Sequence, residues 1–174
     1  GIAPSSVMHL VTCSCTGFAS PGVDLELMNS LGLRPDISRT HIGFMGCHAA
    51  FNALRVASAL SASTRSKTVL VVAVELCSLH LQYGDRSGHI VANAIFADGA
   101  GALVGTQGQP PRVHQNTAGD PQGSRQSRWR LSHQASVVLP DSSDAMGWTI
   151  GDHGFEMQLS PSVPDMIAGH LGQF

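Results

Sequence analysis

The stretch Gly43-Phe-Met-Gly-Cys-His-Ala-Ala50 decides how this chain is read. Residues 37–45 read as a strand and residues 48–62 as a helix, with Gly46 turning the chain between them. Cys47 therefore stands at a helix start. The first N–H groups of a helix lack intrahelical partners, and the positive end of the macrodipole lies there. A thiolate is favoured in such a place, so the Cys47 pKa is expected below the free-thiol value of about 8.5. Gly46 permits the sharp turn and lets a substrate approach the backbone. Nucleophile elbows built on serine follow the same logic, and amides near the turn can hold a developing oxyanion. Two other readings fit these residues taken alone. Cys47 can be one more small buried hydrophobe, as most cysteines are. A metal could sit between Cys13, Cys15, His48 and His80, but the paired C-x2-C spacing of structural zinc sites is missing, so no metal is expected.

Working outward, residues 7–13 are short, apolar and β-branched at their centre and read as a buried strand. Asp24 is placed to cap a helix ending at Leu31, with Leu25, Met28 and Leu31 on one stripe; Gly32 and Pro35 stop it. The alanines of the helix at 48–62 (Ala50, Ala53, Ala57, Ala59) predict close packing on several sides. Residues 68–76, TVLVVAVEL, are a continuous apolar run, the mark of a strand covered on both faces. The Gly-rich run ADGAGALVGT should end in another strand. Residues 107–127 form a polar divider rich in Gly, Pro, Gln and Asn. Residues 129–139 read as a strand, and residues 161–174 as a helix capped by Ser160 with Met166, Ile167 and Leu171 on its apolar face. Strands alternating with helices predict a layered α/β fold with a partly parallel sheet. A helix running straight into the terminus suggests a chain cut off within a larger fold.

The 174 residues are 43% hydrophobic and only 13% charged, against about 25% charged in an ordinary domain. So little solvated surface points to a buried partner face or to a larger body. Net charge is −2 and no basic stripe is present, which argues against nucleic acid. Arg125, Arg128 and Arg130 cluster weakly around Trp129 and read as a strand edge. No run of about 18 apolar residues exists to span a membrane, and residues 1–6 have no signal-peptide pattern. The chain does not start with Met, so the true start is processed or lies upstream. Four cysteines without a secretory signal are expected as thiols in a reducing cytosol, so the localisation expected is cytoplasmic.

Taken in order, these residues resemble the type III polyketide synthases (chalcone and stilbene synthase-like), and their bacterial branch most. The resemblance is carried by Ser14-Cys-Thr-Gly17, Pro21-Gly22, Leu31-Gly-Leu-Arg-Pro35, Gly46-Cys-His-Ala49, the strand ending at Glu75, and Ala94-Ile-Phe-Ala-Asp-Gly-Ala100. Gly147-Trp148, Gly154-Phe-Glu156, Leu159-Ser160 and Val163-Pro164 match the family's link into its second half. Six or more motifs in register is far more specific than a lone G-C-x-A.

The resemblance implies a thiolase-like fold, with residues 1–106 as the later, catalytic-cysteine part of the N-terminal domain, 107–127 as a loop, and 128–174 as the start of the C-terminal domain. It implies an acyltransferase that loads an acyl-CoA starter on Cys47 and extends it by decarboxylative condensation with malonyl-CoA. The products implied are alkylpyrone, alkylresorcinol or chalcone-type, made by a homodimer with no metal or prosthetic group. Phe96 matches the gatekeeper between CoA tunnel and cavity. Cys15 and Thr16 match cavity positions after the first strand, and Cys77 and His80 match cavity-lining positions. Glu75 matches a Glu associated with a hydrogen-bonded water near the cyclisation site. Ala92 and Ala97 stand where plant enzymes usually carry Gly, which reshapes the cavity. Each has a plainer reading: Phe96 as core, Glu75 as a structural hydrogen-bond partner, Cys77 and His80 as packing, Asp98 as a turn cap. His48 follows the nucleophile but points about 100° away on a helix, so it is discounted as its base. The family's catalytic His and Asn match positions beyond Phe174, and its CoA-binding cations mostly lie upstream of Gly1. Ser20 stands where members often place a Met that crosses the dimer. Two competing functions are another thiolase-superfamily condensing enzyme, such as a ketoacyl synthase III, and a catalytically incomplete segment that only folds or associates.

Overall fold

The two longest apolar runs form the centre of the sheet. In the computed structural model, which describes residues 2–63, 68–108 and 129–172, they become β1 (His9–Ser14) and β3 (Thr68–Glu75). β2 (Ser38–Gly43) and β3 flank β1 in parallel, and β4 (Gly99–Thr106) pairs antiparallel with β3, giving the order β2-β1-β3-β4. Successive side chains alternate between the faces. Val11, Cys13, Val69 and Val71 face helix α2 (Ala49–Ser63). Leu10, Leu70 and Val72 pack with Ile37 and with Met28 of α1 (Val23–Leu31). The run read as a strand covered on both faces is covered on both faces at its centre. Leu10, Val11 and Val69 are fully buried, each burial contributing about 1.5–3 kcal/mol.

α2 lies on the sheet through Ala49, Ala53 and Ala57, one stripe at four-residue spacing. The expectation of packing on several sides is corrected here, because Ala50 and Ala59 are exposed. The stripe lets the helix axis approach the sheet closely and so fixes where the helix start stands above the strand ends.

Other expectations also shift. α1 has Gly22 at its N-cap and no side-chain cap bond; Asp24, expected as the cap, accepts a 2.7 Å hydrogen bond from Arg39 instead. α4 (Val163–Leu171) starts behind Ser162, whose N–H donates to the Ser160 hydroxyl. Residues 129–139 are not a strand: among the described residues they have no ladder partner, and Trp129 and Val138 are 94% and 90% exposed. Apolar alternation makes a strand only where a neighbouring edge and a core face receive it. Three elements were not anticipated: α3 (Ser87–Ile95), and β5 (Met146–Gly151) and β6 (Gly154–Leu159), which form a separate antiparallel hairpin. The polar divider follows β4 directly; beyond Gly108 it lies outside the described residues, as do Arg125 and Arg128. No helix among the described residues is long and apolar enough to cross a membrane.

The alanine stripe generates a direct prediction. Ala53 is 0% exposed, so Ala53→Leu should destabilise the chain by about 1–3 kcal/mol through overpacking. The exposed Ala59→Leu should stay within about 0.5 kcal/mol. Urea unfolding midpoints of the two variants measure the difference, and equal midpoints would contradict the one-sided packing.

Candidate active site

The elbow is built from backbone first. β2 ends at Gly43, and the next residues include two in the left-handed region, Phe44 (φ 56°) and Gly46 (φ 68°). Gly46 adopts this conformation without steric penalty, whereas for Phe44 it costs on the order of 1–2 kcal/mol. The Phe44 ring is held edge-on to Phe155, centroids 6.3 Å apart. Cys47 is the middle residue of a single 3-10 turn, Gly46–His48, that runs straight into α2. Its side chain is exposed, whereas Cys13 and Cys15 are buried and Cys77 is partly so. His48 shares a 3.1 Å hydrogen bond with Asn52 along the helix.

Cys15 holds the elbow from below. Its Sγ accepts the Gly46 N–H at 3.1 Å and lies 3.7 Å from the Gly46 carbonyl oxygen, to which the S–H donates. Burial pushes the Cys15 thiol up, outweighing the backbone bond from Gly46 that pulls it down. It therefore sits under the elbow as a neutral thiol.

Cys15 is itself held by Glu75, at the end of β3. The Glu75 carboxylate accepts from the Cys15 N–H at 3.1 Å to each oxygen, from the Thr16 N–H at 3.1 Å, and from the Thr16 hydroxyl. The same hydroxyl oxygen accepts the Leu76 N–H at 2.7 Å. Hydrogen bonds to an ionised group contribute more than neutral ones, about 1.5–3 kcal/mol each. This knot ties the loop after β1 to the end of β3.

Beyond the knot lies a cavity of about 240 Å³. Of the expected site residues, Cys77, His80, Ala92, Phe96 and Ala97 line it, as does Asp98. Phe96 meets the Trp148 ring edge-on at 6.1 Å. Cys15, Thr16 and Glu75 do not line it; they form the knot, which touches the cavity wall through a hydrogen bond of 2.7 Å between His80 Nε2 and the Thr16 carbonyl oxygen. Burial, then the negative charges of Glu75 and Asp98, push the Cys77 thiol up. Asp98 accepts from the Ser78 N–H and hydroxyl, both at 2.7 Å. Those two bonds hold its carboxyl below the usual range, the behaviour of a turn cap. Among the described residues no three His, Cys, Asp or Glu side chains converge as metal ligands would.

The sequence reading quoted Trp148 and Phe155 only as motif residues and assigned neither them nor Met157 to the cavity, whose far wall they form. Phe155 and Met157 are two apart on β6 and face the same way. That alternation, beside the hairpin turn at Gly151 to Gly154, was the available signal.

Comparison with known proteins identifies the family of the chain. Residues 1–108 match the family model described as chalcone and stilbene synthases, N-terminal domain. The chain is 34% identical over 172 residues to polyketide synthase 37 of Dictyostelium discoideum, covering 98% of this chain and 5% of that one. It is 34% identical over 165 residues to the α-pyrone synthesis polyketide synthase-like Pks18 of Mycobacterium tuberculosis, covering 91% of this chain and 38% of that one. Among solved structures, the C-terminal type III polyketide synthase domain of Steely1 from Dictyostelium superposes with a TM-score of 0.84 at 29% identity, covering all of this chain and 45% of that one. The chain thus spans less than half the length of the relatives it matches, and the mixed α/β sheet expected from sequence is the thiolase-like sheet of these enzymes. The chain belongs to the chalcone and stilbene synthase family, its residues 1–108 matching that family's N-terminal domain.

Proposed function

We propose that Cys47 is the acyl-carrying nucleophile of a type III polyketide synthase. The observation that carries this reading is the exposed thiol at a glycine-turned helix start. The Cys47 thiolate attacks the carbonyl of an acyl-CoA thioester. A new C–S bond forms, and CoA leaves with the electron pair of the broken one. Malonyl-CoA then loses CO₂. The electron pair of the broken C–C bond forms an enolate, which attacks the Cys47 thioester carbonyl and expels the Cys47 thiolate.

Phe96 and its partner Trp148 form an apolar wall against which decarboxylation proceeds away from water. Cys15, Thr16 and Glu75 act by holding the elbow. Cys77, His80, Ala92 and Ala97 shape the space for the growing chain, and alkylpyrone-type products fit the relative named for α-pyrone synthesis. The substrates are CoA thioesters, with no further cofactor. A cytoplasmic homodimer is the assembly we propose, in keeping with the exposed apolar side chains such as Phe51 and Ile150.

Two measurements test this. With iodoacetamide at neutral pH, peptide mass mapping should find Cys47 modified first, at least about tenfold ahead of Cys13 and Cys15, whose thiols are buried and pushed up. Labelling of Cys77 ahead of Cys47 would contradict the assignment. The chain is then incubated with a long-chain acyl-CoA and malonyl-CoA. Intact mass should show one acyl adduct, lost in Cys47→Ala. An adduct without polyketide places acylation, but not extension, among the capacities of these 174 residues; no adduct on an accessible Cys47 overturns the proposal.

A further inference from the structure

Both ring nitrogens of His80 are bonded to backbone groups, and this fixes what the residue can do. Nδ1 accepts the Phe155 N–H at 3.1 Å. A backbone N–H can only donate, so Nδ1 carries a lone pair and no proton. Nε2 lies 2.7 Å from the Thr16 carbonyl oxygen, which can only accept, so Nε2 carries the proton. Only the neutral Nε2–H tautomer satisfies both partners.

The partners belong to separate parts of the fold. Thr16 follows β1 and is tied to Glu75, whereas Phe155 is the second residue of β6. The hairpin shares no ladder with the four-stranded sheet, so its docking rests on side chains. Here the fit is tight. The imidazole stacks on the Phe155 ring, centroids 4.4 Å apart and planes 7° from parallel, and meets Trp148 edge-on at 6.0 Å. Gln82 Nε2 donates to the Phe155 carbonyl at 3.3 Å, so both backbone groups of Phe155 are held from the segment carrying His80. Gly154 has φ 116°, and a Cβ there would lie 3.1 Å from His80 Nδ1 and 3.2 Å from His80 Cα. The hairpin can come this close only because residue 154 has no side chain.

We infer that His80 is a positioning residue: a neutral imidazole that pins the β5–β6 hairpin to the Glu75-anchored loop and so sets where the aromatic far wall stands opposite Phe96. With both nitrogens engaged, it is not available as an acid, a base or a polar contact to substrate. The inference rests on the proposed acyl-carrier reading only for its consequence, that the pin sets the depth open to a growing chain. Its geometry is independent of Cys47.

The test uses the full chain labelled with ¹⁵N-histidine. Long-range ¹H–¹⁵N correlation at neutral pH should show His80, identified on the unmodified chain by NOEs to the Phe155 ring it stacks on, as the Nε2–H tautomer. Two variants divide the pin. Asn offers an oxygen near the Nδ1 position, and Gln offers an N–H near the Nε2 position. Exchange of the Phe155 amide should therefore stay slow in His80→Asn and quicken by at least about tenfold in His80→Gln, as loss of an ordinary hydrogen bond requires. An Nδ1–H tautomer, an imidazolium, or a Phe155 amide equally slow in both variants would overturn the inference. The tautomer is read on the unmodified chain, so it decides the matter even where a variant fails to fold. Neither readout involves Cys47 acylation, so failure of the acyl-carrier proposal would be seen separately.

Discussion

The Glu75 carboxylate is the contact from which the rest of the site hangs. β1 and β3 run parallel, so their C-terminal ends emerge side by side, and the loop that leaves β1 has no further ladder to hold it. One carboxylate supplies what is missing by accepting the Cys15 and Thr16 amides and the Thr16 hydroxyl together. Two supports then leave the loop. The Cys15 sulfur runs under Gly46 and fixes the turn that presents Cys47. The Thr16 carbonyl runs to His80 and the hairpin. Nucleophile and cavity wall are thus referenced to the same two residues. A shift of the loop would move both, which couples the thiol to the space its acyl group must enter.

The second organising feature is aromatic. Phe155 touches Phe44 of the elbow, His80 and Trp148, and Trp148 touches Phe96. Aromatic pairs of this kind contribute about 0.5–1.5 kcal/mol beyond their burial. The Phe44 contact helps offset the left-handed backbone there, and the same ring cluster closes the far side of the cavity. Strain at the elbow and shape at the wall therefore share one set of rings.

Much of the centre was legible from sequence because its signals are local. TVLVVAVEL needs no partner to read as a buried strand, and Gly46-Cys47 needs only its neighbours to read as a turn into a helix. The supports were not legible, because they join residues 31, 60 and 75 positions apart: Cys15 with Gly46, Cys15 with Glu75, and His80 with Phe155. Their chemistry also misleads. Glu75 and Cys15 look like cavity groups from their motif positions, yet their polar atoms are engaged with backbone. α3 escaped notice because its N-cap is Arg86 with no side-chain cap bond. The alternation at 129–139 suggested a strand where no edge among the described residues receives one. In each case the missing information was a long-range partner, present or absent.

Native-state amide exchange tests the dependence on Glu75 most directly. The amides of Cys15, Thr16 and Gly46 should be protected in the unmodified chain. In Glu75→Gln, where one acceptor oxygen becomes an N–H₂ facing donors, all three should lose protection together by about tenfold or more, while Val11 and Leu70 in the ladder keep theirs. Free exchange of Cys15 and Thr16 in the unmodified chain, or a Glu75→Gln change that leaves Gly46 untouched, would contradict the account.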